Sequence, residues 1–561
     1  MYKVKFFLIL FPSFLFSLSY ILSSNGLSYP QWEGGRTEIE MEDINNDGKI
    51  DLLTIGDHGS PYINTQEHGI MVYFGDGYGN WQNYMNGNFG YGGIAIGDVN
   101  NDGLKDVGYA MHHNYSNNDF GDQLIEVALG DGTGMNWIPW DDSLADEGQT
   151  WGMFATDFAD INNDGLLDIG SVSFGCCDGI HIYENNNNGT WTRTFGFLGG
   201  NSDMHFVFAD INNDGNIDFA TSHQYGTVYF GDGQGNFTNA DFNLPPGGSL
   251  GRKGVSLGDV DNDGGMDLAF INTNGGIEVW CYKEDQSSWV SYSGNLPSTG
   301  NFQATQLFDM NLDGYIDLCA YGNGTFSLYL GDGNGNWTYE TGLTLPSPGG
   351  LSAFRVGRDA DHNGFPDLVI IADSGSWPTY INKVKFFKEA SIPSQIQIRP
   401  VYPRGGEKLF AGSIRFIDWI SAVPQGQGVI KLEISLTGPN GPWYLIANNL
   451  PDNGRYQWKI PLNYSSNNCY IKYTLKVQND SVIAITPNAF SIIPSVHIKD
   501  RYRLIEIKDF KEGIFIDEIG RILKYKNSFA PGIYFYKKNS RNSKTLFITH
   551  ESWFFNRFKQ R

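Results

Sequence analysis

Seven times along the chain a nine-residue stretch recurs: "DINNDGKID" (43–51), "DVNNDGLKD" (98–106), "DINNDGLLD" (160–168), "DINNDGNID" (210–218), "DVDNDGGMD" (259–267), "DMNLDGYID" (309–317) and "DADHNGFPD" (359–367). Successive starts lie 55, 62, 50, 49, 50 and 50 residues apart. So steady a period makes the chain an array in which each unit is one supersecondary element. Every copy follows a short alternating segment such as "GGIAIGD" and precedes an apolar run such as "DLLTIG" or "DLVIIA". A third segment such as "IMVYFGDG" then leads through a "GDGxGN" turn to an aromatic that opens a fourth, as in "GDGYGNW" (75–81), "GDGQGNF" (231–237) and "GDGNGNW" (331–337). Alternation, Gly and Asp punctuation and the lack of helical periodicity predict four antiparallel strands per unit. Four strands repeated seven times predict an all-β fold built on a seven-bladed β-propeller. The seventh unit lacks the turn and its aromatic. The N-terminal segment around "GLSYPQW" is therefore expected to supply the missing outer strand, with Trp32 as the aromatic.

Oxygen side chains at positions 1, 3, 5 and 9 of a tight loop, with Gly at 6 and a backbone carbonyl at 7, suit a hard cation. In the first copy these are Asp43, Asn45, Asp47 and Asp51, with the carbonyl of Lys49. The second offers Asp98, Asn100, Asp102 and Asp106, the third Asp160, Asn162, Asp164 and Asp168, the fourth Asp210, Asn212, Asp214 and Asp218. The fifth is the most acidic, with Asp259, Asp261, Asp263 and Asp267. Asp309, Asn311, Asp313 and Asp317 form the sixth set, and Asp359, Asp361, Asn363 and Asp367 the seventh, where Asn363 and Pro366 predict the weakest site. Zinc is disfavoured, because no His or Cys stands at these positions, and Mg²⁺ demands tighter octahedral geometry. Up to seven structural Ca²⁺ ions are expected. The alternative is seven metal-free Asx turns. Against it, 22 carboxylates at these positions repel one another unless cations compensate them.

The motif "DxNxDGxxD", with its apolar strand and "GDGxGxF/W" turn, resembles the FG-GAP or VCBS repeats of calcium-binding propellers, which include the integrin α-subunit head. The resemblance covers roughly residues 33–390. It implies structural calcium and a secreted or surface location, and it leaves adhesion, lectin and polysaccharide-lyase roles open.

If the loops join first to second strands, they lie on one face of the disc, and recognition is expected on the other. Candidate ligand-binding residues there are Trp151, Cys176, Cys177, His205, His223 and Tyr225, with His205 and His223 expected to be neighbours. Cys176 and Cys177 either close a vicinal disulfide or are two small residues near a strand end. A glycan or a protein surface is the expected partner. The alternative is a polysaccharide-active enzyme, in which a His acts with Arg252 or Lys253. No Ser-His-Asp order, HExxH motif or phosphate loop is present, so no catalytic residue is assigned.

The formal net charge of the 561 residues is −24, which disfavours nucleic acid as a partner. The balance is uneven. Residues 499–561 hold 15 Lys/Arg against 7 Asp/Glu, a net of +8, which leaves −32 for the rest. Residues 1–25, with Lys3 and Lys5 before an apolar run, read as a signal peptide, so membrane association is expected only through secretion or anchoring. The propeller is assigned to 26–392, a β-sandwich to 398–495 and a small β-rich C-terminal module to 500–561. The sandwich segment resembles bacterial Ig-like modules through Pro403-Arg404-Gly405-Gly406-Glu407, which implies a spacer or adhesion unit. Residues 513–548 resemble a type IX secretion sorting domain through Gly520-Arg521 and Pro531-Gly532-Ile533-Tyr534, although "THESWFFNRFKQR" departs from the usual ending.

Overall fold

The computed structural model describes residues 18–27, 31–32, 38–56, 69–87, 89–90, 92–111, 119–145, 153–173, 179–197, 199–322, 324–340, 353–374, 381–494, 514–517, 522–523, 532–537 and 544–549. Those residues form β-strands and turns, with a single three-residue 3₁₀ turn at Glu284–Gln286 and no α-helix. No helix among them is long and apolar enough to cross a membrane.

Each repeat makes an antiparallel meander. In the first sheet Ile39–Glu42, Asp51–Ile55, Ile70–Gly75 and Trp81–Asn86 pair in chain order. Five more four-stranded sheets follow the same order, the last built from Phe302–Phe308, Asp317–Gly322, Thr325–Gly331 and Trp337–Tyr339. The first strand of each sheet packs on the first strand of the next. Ala353–Val356 of the last sheet returns to Ile39–Glu42 of the first, so the sheets close into a ring. Repeated four-stranded antiparallel sheets of this kind are the unit of a β-propeller. Second strands such as Asp51–Ile55 and Asp168–Ser173 are buried along their whole length, because each sheet is covered on both faces by its neighbours. The aromatics that open the outer strands tie neighbouring sheets together: Trp191 Nε1 donates to Trp140 O (2.9 Å) and Trp337 Nε1 to Tyr292 O (2.6 Å).

The last sheet is completed from the N-terminus, as expected. Ala353–Val356, Leu368–Ser374 and Ile381–Glu389 are joined by Tyr20–Leu22, while Gln31–Trp32 pairs with the start of Ile381–Glu389. The strand of Trp32 is thus in place, but the main closing strand lies ten residues earlier than the sequence suggested. This moves a boundary. Leu18 and Tyr20 are buried and Tyr20 pairs with Glu389, so residues 18–25 already belong to the fold and the division at 25 falls inside a sheet. Tyr20→Ala is expected to destabilise the ring by about 3 kcal/mol, since a buried aromatic is lost at the closing seam. A lowered urea midpoint at unchanged m-value checks it.

Residues 396–494 form two packed sheets. Gln397–Tyr402, Ile414–Ala422 and Arg455–Lys459 make one. The other contains Lys408–Phe410, Phe490–Ile493, Ser466–Val477, Gly428–Ser435, Tyr444–Pro451 and Asp480–Ile485. Trp419, Trp458, Ile430 and Tyr473 fill the core between them, while Trp443 lies outside it under Lys472 Nζ (4.6 Å from its ring centroid). This two-sheet region belongs to the same compact unit as the ring, which ends at Ser495. A second unit, 496–561, contains a four-stranded antiparallel sheet of Ile522–Leu523, Ile514–Asp517, Gly532–Lys537 and Lys544–Thr549. Gly520, Arg521 and Pro531 lie outside the described residues.

Candidate metal centres

Each acidic loop joins the first strand of its sheet to the second. Two left-handed residues fold it. Position 4 has φ of 52–59° in Asn46, Asn101, Asn163, Asn213, Asn262, Leu312 and His362, and Gly at position 6 has φ of 82–104°. Asn tolerates this region better than other side chains, which explains the doubled Asn of "DINNDG".

The aspartate at position 1 accepts the amides of positions 5 and 6. Asp43 Oδ1 takes Asp47 N (3.0 Å) and Oδ2 takes Gly48 N (2.9 Å), and Asp98, Asp160, Asp210, Asp259, Asp309 and Asp359 do the same. The position-3 amide oxygens of Asn45, Asn100, Asn162, Asn212 and Asn311 also receive the position-5 N–H. The aspartate at position 9 works across the sheet. Asp218 Oδ2 accepts from Ile211 N (2.9 Å) and its Oδ1 from Gly231 N of the third strand (2.7 Å). Asp51, Asp106, Asp168, Asp317 and Asp367 repeat this arrangement. Asp267 also caps the loop, but its other partner is the Cys281 thiol.

Burial and neighbouring carboxylates hold these groups up. The Asp43 and Asp309 carboxyls rise to about 6, those of Asp106, Asp210 and Asp259 to about 7, and Asp168, Asp218 and Asp317 lie well above the ordinary range. A bound cation would reverse that direction.

The fifth and seventh loops test the fit of a cation most directly. One oxygen from each of Asp259, Asp261 and Asp263, and from each of Asp359, Asp361 and Asp367, lies within 4.8 Å of its companions. In both loops position 3 is Asp rather than Asn. Its Oδ2 faces a lysine, Lys283 on Asp261 and Lys388 on Asp361 (3.0 Å), while Oδ1 of both is buried without a hydrogen-bond partner. Converging hard oxygens with an orphaned acceptor among them are what a divalent cation requires. In the seventh loop the Asn363 amide donates to Glu389 O (2.6 Å), so that gathering rests on the three aspartates.

The loop face is not open. Residues of the two-sheet region meet every loop, including Asn453 on Asp43, Ile414 N on Asp160 and Arg404 on Asp309. The spacer implied for this region is therefore corrected: it is packed against the ring. Nothing local in the sequence carries that contact. The nearest signal was a set of basic residues, Arg404, Arg415, Arg455 and Lys459, within a segment of an acidic chain.

Through the ring runs a cavity of about 570 Å³ lined by the first strands, and Phe416, Asp418, Trp419 and Arg455 close its loop end. His205 lines this cavity, with Nδ1 2.7 Å from Asp203 O. His223 sits elsewhere, packed between Phe197 (5.1 Å) and Tyr225 (5.3 Å). The two histidines, expected as neighbours, lie on paired strands with His223 opposite Ser202, and their rings take different surroundings. His223 Nδ1 accepts Tyr225 N and Nε2 faces Gly199 O, so both ring nitrogens are engaged by backbone groups, and burial lowers its pKa. Arg252 is spent on structure, bonding Pro245 O, Thr227 Oγ1 and Asp241 Oδ2. Trp151, Cys176 and Cys177 lie outside the described residues.

A family model described as FG-GAP-like repeat matches residues 160–221 and 309–370. The chain carries FG-GAP-like repeats. Each matched segment starts at the first aspartate of one loop and runs through the whole of the next. No curated protein matches the chain. Among solved structures, an Agrocybe aegerita lectin described for specific recognition of non-reducing terminal N-acetylglucosamine is 17% identical over 55% of this chain and 81% of its own, with a TM-score of 0.38. PorZ, a surface component of the type IX secretion system of Porphyromonas gingivalis, is 13% identical over 80% of this chain and 58% of its own (TM-score 0.34). Sqt1 of Saccharomyces cerevisiae is 10% identical over 67% and 98% (TM-score 0.37). These are distant likenesses, and nothing is transferred from them. The FG-GAP-like repeats rest on the loops themselves.

Proposed function

We propose that the protein is a secreted or cell-surface recognition protein: a seven-bladed propeller holding structural Ca²⁺ in its loops, with an Ig-like region docked on it and a sorting or anchoring module at its C-terminus. Its ligand is a glycan or a protein surface, bound on the face away from the loops. The observation that carries this reading is the division of the two faces. The loop face is covered by the region 396–494, whereas Tyr225 stands 60% exposed beside Phe197 and His223 at the opposite ends of the strands. An exposed ring held between the buried His223 and the half-buried Phe197 suits stacking on a sugar. Of the groups in the enzyme alternative, Arg252 and His223 are committed to structural bonds, whereas His205 and Lys253 both line the central cavity.

A glycan array with the full-length protein tests this. Binding without cleavage products is expected, with Tyr225→Ala reducing it at least tenfold. Unsaturated sugar ends among the products would instead establish a lyase, and an array without binding would leave a protein ligand as the reading.

A further inference from the structure

We propose that the acidic loops are the docking platform of the two-sheet region, so that cation binding and docking are thermodynamically coupled within this chain. The inference rests on the metal reading of the loops.

Every loop is engaged. Asn453 Nδ2 donates to Asp43 Oδ2 (3.1 Å) in the first. Gln457 brackets Asp98 in the second, accepting its N–H (3.0 Å) and donating to its O (2.8 Å). In the third, Ile414 N donates to Asp160 Oδ2 (2.8 Å) and Lys459 Nζ to Gly165 O (2.8 Å). Lys408 N meets Asn213 Oδ1 (3.1 Å) in the fourth. At the fifth, a Cβ on Gly264 would lie 2.4 Å from the carbonyl carbon of Gly406. Arg404 bonds Asp309 Oδ2 (3.2 Å) and Gly314 O (2.9 Å) in the sixth, and Val423 N donates to His362 O (2.8 Å) in the seventh.

Three of these donors fall on Oδ2 of a position-1 aspartate, the oxygen that also accepts the position-6 amide. A donor there fixes the rotamer of a metal-binding carboxylate, as outer partners of metal ligands do. The converse follows from linkage. Seven loops must share one conformation for one rigid surface to touch them all, and a cation that stiffens each loop stabilises the docked state by the amount that docking stabilises the cation. The segment "YPRGGE" accordingly serves as a docking strip, because Glu407 accepts the Arg404 and Gly405 amides and so presents Arg404 and Gly406 to the sixth and fifth loops.

Two glycines separate docking from loop strain. Gly103 and Gly264 share position 6, with φ of +89° and +94°, but a Cβ on Gly103 meets nothing within 4 Å. Gly103→Asn and Gly264→Asn therefore carry the same backbone cost, and only the second pushes on the docked region. The experiment is hydrogen exchange by mass spectrometry on the full-length protein, with calcium and after EDTA, with bound calcium measured in each sample. Residues 399–423 and 451–460 are expected to exchange at least tenfold faster after EDTA, while Leu268–Ile271 in the fifth sheet stays protected. Gly264→Asn should release residues 399–423 in calcium well beyond Gly103→Asn, which carries only the shared backbone strain and sets the baseline, and equal exchange in the two variants overturns the docking role. Unchanged exchange after demonstrated calcium loss overturns the coupling and leaves the metal reading standing. A parent protein that binds no calcium overturns both.

Discussion

Chelation of the full-length protein with EDTA is expected to lower its Tm by about 10 °C, reversibly on return of calcium. A ligand present at a hundred times its Kd stabilises by about 2.7 kcal/mol per site, so about four of the candidate loops filled together would supply about 10 kcal/mol. For a unit of this length, the entropy of unfolding is about 1 kcal/mol per degree. The physical source is carboxylate crowding. In the third repeat Asp160 and Asp168 are buried within reach of Asp164, and burial and the neighbouring carboxylates both disfavour their ionised forms. A divalent ion removes both penalties at once. Scanning calorimetry before and after chelation measures the shift. A Tm that does not move would mean that the loops hold themselves together through their amide bonds alone.

The fold was legible in the sequence because its information is local and repeated. The "DxNxDG" loop, the apolar second strand and the aromatic at Trp81, Trp191 or Trp337 each report a backbone requirement within a few residues, and seven copies average out accidents. Two local signals carry more than a ligand pattern. The second Asn of "INNDG" marks the left-handed residue that folds the loop. The aspartate at position 9, a candidate ligand, also binds the loop and the third strand together through its two oxygens. The strand at Tyr20 lies within "FFLILFPSFLFSLSYIL", a mostly apolar run that reads as a leader, so the short Leu18-Ser19-Tyr20 alternation at its end does not stand out as a strand. Docking of residues 396–494 was illegible because its contacts join positions hundreds of residues apart, such as Asn453 and Asp43. No periodicity reports such a contact. Strand order predicts His205 and His223 as neighbours, and the register sets Ser202, three residues before His205, opposite His223. Irregular register between Ser202 and Phe206 turns His205 to the cavity, while His223 stays with Phe197.

Asp218→Ala is expected to cost about 3 kcal/mol even in EDTA, which separates the amide-binding role of position 9 from its part in holding a cation. Asp218 is fully buried, and it accepts the Ile211, Asn212 and Gly231 amides at 2.9, 3.2 and 2.7 Å. Alanine leaves the buried Ile211 and Gly231 donors without an acceptor, and each orphan costs about 1–3 kcal/mol, partly offset by relief of the buried carboxylate, while the half-buried Asn212 amide loses less. Asp218→Asn keeps one acceptor oxygen and should recover about half of the loss. Asp232 provides the comparison. It accepts the Gln234 and Asn236 amides at 2.8 and 3.2 Å, yet it lies on an exposed turn. Water replaces the lost acceptor there, so Asp232→Ala is expected to cost less than about 1 kcal/mol. Urea midpoints for the three variants in EDTA decide the point, because equal losses at positions 218 and 232 would show that counting accepted amides, irrespective of burial, explains the stability. If position 9 also holds calcium, the penalty for Asp218→Ala grows when the metal is restored, and the increment measures what the ion adds to a joint the backbone already makes.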